Sequence, residues 1–262
     1  MAESNSNKKY KIAMFDIDGI LNEHGGNILE SSKQAIHKLR TLGVRVCFAS
    51  GKHAWYIQGG LVWSGLLEKD TIIIGENGGV IFDPHSRKNV VDDKFLGDVR
   101  RLRSIFYNLY SSKEGFLKFA GMTVWEEPKE SLFNLYPQDT KDVPRLAKNL
   151  REIVEINKLN LYCVENPDSV DVIQEGINKA TGIKRVCGWL GITIDDVLAF
   201  GDSYNDTEML TEVGFAVTVE NGKPEIKELV KSKGKDHGYI ASKKCGDGVM
   251  EAIEHLIASK RL

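Results

Sequence analysis

The chain has 262 residues, 42% of them hydrophobic, with 35 basic side chains against 37 acidic ones. At ~150 residues per domain this makes one large domain or two modest ones, enough for a packed core without disulfide staples. A net charge of −2 and a pI near 6.3 exclude a broad basic face for nucleic acid but leave room for a small anionic ligand.

Residues 1–9 are polar and carry no apolar stretch of the secretory kind, and no apolar run reaches the ~18 residues needed to span a bilayer. Cys47, Cys163, Cys187 and Cys245 form no C-x-x-C pair, which excludes a zinc knuckle and a dithiol redox motif. Most have apolar neighbours and read as reduced, mostly buried thiols. The expectation is a cytoplasmic protein with no membrane segment and no nucleic-acid partner. Oligomeric state stays open, a homo-oligomer included.

In chain order, Ile12–Phe15 is a short strand, apolar on consecutive positions. A helix over Ser31–Leu42 follows, with Ile36 and Leu39 on one stripe and Gly43 as its stop. Val44–Ala49 and Thr71–Ile74 are again continuous apolar runs, the pattern of strands buried on both faces. From residue 83 to residue 174 the pattern changes. A helix over Asp92–Tyr110 precedes strands at Leu117–Ala120, Met122–Trp125 and Ser131–Leu135. A helix over Val143–Ile156 then leads to strands at Leu159–Val164 and Val170–Ile173. Consecutive strands with two helices predict an α+β insertion around an antiparallel sheet. In it Trp125, Phe133 and Tyr136 read as core, and Arg100-Arg101-x-Arg103 as a solvated helix face. Helix Lys184–Leu190, strand Val197–Phe200, helix Asp206–Val213 and strands Phe215–Val219 and Tyr239–Ile240 restore the first pattern.

Strand and helix alternating at this spacing predict a doubly wound, mostly parallel, Rossmann-like α/β sheet. Turn chemistry at Asp83-Pro84-His85-Ser86 and Glu175-Gly176 divides the chain into a core of residues 1–82 and 175–262 and an inserted domain of 83–174.

Three of the core strands end in polar residues plus glycine. Asp16-Ile17-Asp18-Gly19 follows the first, Ser50-Gly51-Lys52 the second, and Gly201-Asp202-Ser203-Tyr204-Asn205-Asp206 the Val197–Phe200 run. Ligands of open α/β sheets bind outside the carboxyl ends of the strands, so these loops should share one crevice. Asp16, Asp202 and Asp206 would repel one another there unless a cation joined them, and Mg²⁺ suits such hard oxygen donors together with a phosphate oxygen. Asp16 can then attack phosphorus to form an aspartyl phosphate, while Asp18 protonates the leaving oxygen and later activates water. Ser50, the amides around Gly19 and Gly51, and one lysine would hold the phosphate.

Asp16-x-Asp18-Gly19, Ser50-Gly51, a downstream lysine and Gly201-Asp202-Ser203-x-Asn205-Asp206 stand in the order that resembles the haloacid dehalogenase superfamily of phosphatases. The subgroup it resembles is the Cof-type, or type IIB, whose type C2 cap is inserted between the second and third motifs. Glu76-Asn77-Gly78-Gly79, Met209-Leu210 and Gly246-Asp247-Gly248-Val249 are similar to the same subgroup. The run Glu76–Ile81 looks most like archaeal-type phosphoglycolate phosphatases, and sugar-phosphate phosphatases have similar motifs.

The resemblance implies a Mg²⁺-dependent phosphomonoesterase acting on a small phosphorylated metabolite. It places the third-motif lysine in Gly176-Ile177-Asn178-Lys179, at Lys179, with Lys184 the alternative. It also implies that Asn205 orients the phosphate or Asp16. The metal ligands would be Asp16, Asp202 and Asp18 through its backbone carbonyl, with Asp206 binding directly or through water. Two positions depart from the pattern. Ile20 stands where threonine is usual, and Lys52 where arginine is common; lysine keeps the charge but loses the bidentate fork.

Other patterns carry less. The Asp16–Gly19 loop lacks EF-hand spacing, Gly75–Gly79 lacks the dinucleotide G-x-G-x-x-G spacing, and the histidines form no H-x-x-x-H pair. Asn205-Asp206-Thr207 is an accidental glycosylation match. Two rival functions remain: a phosphomutase of the phosphomannomutase type, which returns phosphate to a sugar, and a non-catalytic phosphometabolite sensor. The paired Asp16 and Asp18 argue against the sensor.

Overall fold

The computed structural model describes residues 10–23, 25–110 and 117–262. Two compact units emerge, one from Met1–Asn89 with Asn178–Leu262, the other from Val90–Ile177.

The first segment carries β1 (Ile12–Phe15), α1 (Glu30–Thr41), β2 (Arg45–Ala49), α2 (Ala54–Trp63), β3 (Ile72–Gly75), β4 (Val80–Asp83) and β5 (Lys88–Val91). The second unit contains α3 (Gly97–Tyr110), β6 (Leu117–Phe119), β7 (Met122–Glu127), β8 (Leu132–Pro137), α4 (Val143–Ile156), β9 (Leu161–Glu165) and β10 (Val170–Gln174). The chain then returns through α5 (Lys179–Leu190), β11 (Val197–Phe200), α6 (Thr207–Glu212), β12 (Phe215–Thr218), α7 (Pro224–Ser232), β13 (Gly238–Ile240) and α8 (Cys245–Ala258).

The core sheet has the order β13-β12-β11-β1-β2-β3-β4-β5. It is parallel from β13 to β3 and turns antiparallel at β4. Ile12 and Met14 face a cluster built with Ile183 and Val186 of α5, Met209 and Leu210 of α6, and Ile226 and Val230 of α7. Successive residues of a strand alternate sides, so Phe15 points the other way. There it stacks on Phe200 at 4.4 Å between ring centroids and lies 6.4 Å from Phe48. The sheet is therefore doubly wound, and its central strands are apolar on both sides because both sides are covered.

The hairpin of β4 and β5 was not foreseen. Asp83 closes its turn, accepting from the His85 and Ser86 amides at 3.0 and 3.3 Å. The turn at Asp83–Ser86 thus lies between two strands of the core sheet, and the units divide after Asn89 and after Ile177. Helix α2 also escaped the sequence pattern, because Trp55, Tyr56, Ile57, Leu61, Val62 and Trp63 surround it with apolar residues and leave no polar stripe.

The second unit is a five-stranded antiparallel sheet in the order β6-β7-β8-β10-β9. Val99, Leu102 and Phe106 of α3 and Leu146 and Leu150 of α4 pack with Phe133 and Leu135 of β8. Two expectations need correction here. Trp125 is 41% exposed and stacks on Tyr136 at 4.3 Å instead of entering the core. Arg103 is half-buried, pairs with Glu126 at 2.7 Å and donates to the Lys129 and Leu132 carbonyls, so only its neighbours Arg100 and Arg101 form a solvated face. Among the described residues no helix is long and apolar enough to cross a membrane.

Candidate active site

Strands β11, β1 and β2 lie side by side and run the same way, with Phe15 level with Phe200 and with Phe48. Their carboxyl ends therefore release Asp16, Gly201 and Ser50 at one edge of the core sheet. The Asp16 amide donates to the Phe200 carbonyl at 2.9 Å, extending the ladder one residue into the loop. This register converts three distant sequence segments into one site.

Asp16, Asp202 and Asp206 are all buried, and each offers a carboxylate oxygen within 4.8 Å of the other two. Lys179, with no exposed surface, lies among them. Its Nζ is 2.8 Å from Asp16 Oδ1 and 2.7 Å from Asp206 Oδ1. Lys179 is the first residue of α5, where the helix dipole disfavours a cation. Burial also pulls its pKa down, yet the two carboxylates outweigh both effects and the pKa is raised.

The helix start is fixed by its own chemistry. Asn178 accepts from the Thr181 amide at 2.9 Å, and Thr181 Oγ1 accepts from the Asn178 amide at 3.0 Å, a reciprocal cap. Beneath it, Gly78 (φ +108°) leaves so little room that an added Cβ would lie 2.0 Å from the Asn178 carbonyl oxygen. Lys184, the alternative lysine, pairs with Glu212 and is half exposed, so it belongs to the surface.

Asp206 has structural work on its other oxygen. Oδ2 accepts from the amides of Asp202 at 2.9 Å and Ser203 at 3.1 Å, tying the loop after β11 to itself. Asp202 is buried too, and Gly19 (φ +80°) brings its backbone so close that a Cβ there would meet Asp202 Oδ2 at 2.2 Å. Burial first, and then neighbouring carboxylates, push the pKa values of Asp16 and Asp202 up to about 7, with Lys179 pulling both the other way.

Asp18 stands apart from that acidic group. It pairs with Lys52, and its Oδ1 accepts from Asn22 Nδ2 at 3.3 Å. Ser50 is buried; its amide donates to the Ile74 carbonyl at 2.9 Å and its Oγ accepts from the Lys52 amide at 3.2 Å. Gly51 sits against Asn77, where a Cβ would be 3.1 Å from Oδ1. Asn205 is exposed, and its side chain accepts from Ser203 Oγ at 2.7 Å instead of joining the acidic group. Ile20, in the position where threonine is usual, is fully buried.

Three asparagines and one lysine escaped the sequence reading as site residues. Asn221 bridges the loops, donating to the Gly19 carbonyl at 2.8 Å and accepting from the Cys245 amide at 2.8 Å. Asn22 supports Asp18. Asn77 and its neighbour Glu76 both adopt positive φ (54° and 53°) while buried, a rare strained pair. Their amides donate to the Ser50 and Lys52 carbonyls at 3.1 and 3.0 Å, so the strain is stored where it shapes the loop after β2. Single asparagines carry no spacing signal. Lys52 was visible only as a departure from arginine, and its partner Asp18 lies 34 residues away.

The family model for haloacid dehalogenase-like hydrolases matches residues 13–131 and 123–253. The chain belongs to that family. The match is of the Cof type, and the protein is a phosphatase. The phosphoglycolate phosphatase of Methanobrevibacter smithii is 31% identical over 92% of this chain and 96% of its own length. The 5-amino-6-(5-phospho-D-ribitylamino)uracil phosphatase of Bacillus subtilis is 26% identical over 94% of this chain and 96% of its own. A solved haloacid dehalogenase-like hydrolase from Bacteroides thetaiotaomicron superposes with a TM-score of 0.72 at 19% identity, covering 95% of this chain and all of that one. At that identity the likeness is one of fold.

The donor set fits a hard divalent cation. Lys179 pairs with two of the three buried carboxylates, Asp16 and Asp206, and one lysine cannot balance three ionised acids. Oxygen donors alone, without histidine or thiolate in the group, suit a hard divalent cation better than zinc.

Proposed function

We propose that this phosphatase is a Mg²⁺-dependent phosphomonoesterase that works on a small phosphorylated metabolite through an aspartyl phosphate on Asp16. The observation that carries the reading is the buried Asp16–Lys179–Asp206 array with Asp202 beside it, at the carboxyl edge of β1 and β11. Asp16 and Asp202 would hold the cation, with the Asp18 carbonyl, and Asp206 would act through water because both its oxygens already accept hydrogen bonds. When bound, the cation neutralises charge on the phosphoryl group and on the attacking carboxylate.

The chain's own groups do the rest. Lys179 holds Asp16 Oδ1, which aims the carboxylate and favours its ionised form against the opposing effect of burial. Ser50 Oγ and the amides around Gly19 and Gly51 receive phosphoryl oxygens. Asp18, held by Lys52 and Asn22, gives a proton to the leaving oxygen and takes one from the water that opens the aspartyl phosphate. Asn205 would reach the phosphate only from its exposed position. The inserted unit, Val90–Ile177, would contribute to substrate selection, and the reduced thiols suit a cytoplasmic setting.

The relatives' names make 2-phosphoglycolate and 5-amino-6-(5-phospho-D-ribitylamino)uracil the first esters to assay, with sugar phosphates next on the sequence resemblance. The deciding experiment compares wild type with Asp16→Asn on p-nitrophenyl phosphate with and without Mg²⁺. Turnover should need the metal and vanish in the variant. Activity retained by Asp16→Asn would remove the nucleophile, and transfer to a sugar without release of phosphate would favour a mutase.

A further inference from the structure

A cavity of about 710 Å³ opens in the first unit between the β1–α1 loop and helix α2. One wall holds Asp18, Asn22 and Lys52, the group proposed to serve the leaving oxygen; the other holds Trp55, Tyr56 and Trp63. Positions 55, 56, 59, 60 and 63 follow the spacing of one helical face. Gly59 and Gly60 fall between the aromatics, and an added Cβ at either would meet nothing within 4 Å. The glycines therefore leave an open trough bordered by ring side chains. Trp55 is 50% exposed and Trp63 92% exposed, apolar area that water disfavours and a ligand ring would cover.

The lysines that line this cavity already have carboxylate partners. Among the described residues, Lys52 pairs with Asp18, and Lys33 with Glu30 at 3.3 Å. The polar vacancy is of another kind. Asn22 is 5% exposed, spends Nδ2 on Asp18 and the Gly26 carbonyl, and keeps Oδ1 without a partner among the described residues. A buried amide oxygen in that state calls for a hydroxyl or N–H donor.

We propose that this cavity is the leaving-group subsite and that it takes phosphomonoesters whose leaving group is an uncharged ring, stacked on the α2 aromatics and donating a hydrogen bond to Asn22. The volume falls within the ~300–1,000 Å³ of ligand sites, whereas the two-carbon acid of phosphoglycolate would fill little of it. Trp55, Tyr56 and Trp63 become specificity-determining residues. The proposal rests on the phosphatase reading, since it takes Asp18 as the group facing the leaving oxygen.

The test measures kcat/KM with Mg²⁺ for 2-phosphoglycolate, glucose 6-phosphate and uridine 5′-monophosphate, in wild type, Trp55→Ala and Trp63→Ala. The two ring esters separate a sugar face from an aromatic one. Wild type should prefer at least one of them, and each variant should lower its selectivity over 2-phosphoglycolate by about tenfold, chiefly through KM. Trp55 packs edge-on against Phe82 at 5.8 Å, so if its variant fails to fold, the exposed Trp63 position still decides. Preference for 2-phosphoglycolate, or selectivity unmoved by Trp63→Ala, would overturn the subsite while leaving the phosphatase intact. No turnover of any ester would instead overturn the phosphatase reading. Sedimentation of wild type and Trp63→Ala gives one further outcome: a dimer that the substitution dissociates, with unchanged selectivity, would make this face an interface between two copies.

Discussion

Lys179 Nζ and Asp206 Oδ1 meet at 2.7 Å with neither side chain exposed to water. The pair joins the start of α5 to the loop after β11, and Asp16 completes it at 2.8 Å. A buried ion pair contributes little by itself, because desolvation offsets most of the attraction; breaking it from one side is costly.

Lys179→Met should therefore lower stability by about 3–5 kcal/mol, since Asp16 and Asp206 would then face each other unneutralised. Urea unfolding of the metal-free protein measures it directly. A variant as stable as wild type would mean that the two carboxylates are not held together as described.

Two glycines with positive φ separate strain from collision. Gly65 (φ +72°) has open space around its Cβ direction, so Gly65→Ala should cost only about 1 kcal/mol of backbone strain. Gly78→Ala adds a 2.0 Å collision with the Asn178 carbonyl and should cost several times more. It should also lower activity, because Lys179 follows Asn178. The comparison needs melting temperatures of both variants and one activity assay.

The metal-free protein should lose stability as pH rises from about 4 to about 7. The Asp16 and Asp202 carboxyls are raised from 3.8 to about 7 in the fold, chiefly by burial, so the native state binds more protons than the unfolded chain across this window. Stability then falls with rising pH. A cation that ligates the ionised carboxylates should reverse the trend, so the rise in Tm on adding Mg²⁺ should be larger at pH 7.5 than at pH 5. Thermal scans at several pH values with and without Mg²⁺ test this, and an equal rise at both pH values would count against carboxylate ligation.

The thiols should be inert. Burial pushes Cys47 up to about 12 and Cys163 and Cys187 up to about 11, and raises Cys245 as well. The thiolate is the reactive form. At pH 8 iodoacetamide should label the native protein far more slowly than the urea-unfolded chain. Rapid native labelling, located by mass spectrometry, would identify a thiol that the fold does not protect.

The core was legible wherever a strand is covered on both sides. Ile12–Phe15 and Val197–Phe200 have the bounds their apolar runs predict, and helix α4 spans the expected Val143–Ile156. Legibility failed where local pattern and final environment part. The β4–β5 hairpin lies toward the sheet edge, and β5 reads as Lys88-Asn89-Val90-Val91, too polar and short to stand out. Helix α5 begins five residues before the expected Lys184, because its first turn is set by the Asn178 cap and by contact with Gly78.

The sequence by itself determined the chemistry: the acids, the serine and the glycines that follow each apolar run, their order, and the alternation that makes those runs one parallel sheet. Periodicity and turn chemistry are local, so they can be read along the chain. Tertiary structure decided the partnerships. That Lys179 rather than Lys184 enters the acidic group, that Asp206 braces its own loop, that Lys52 holds Asp18, and that Asn22, Asn77 and Asn221 join the site all depend on strands β11, β1 and β2 standing in register. Those contacts span from a few residues to more than two hundred, and charge complementarity over such distances leaves no periodic trace.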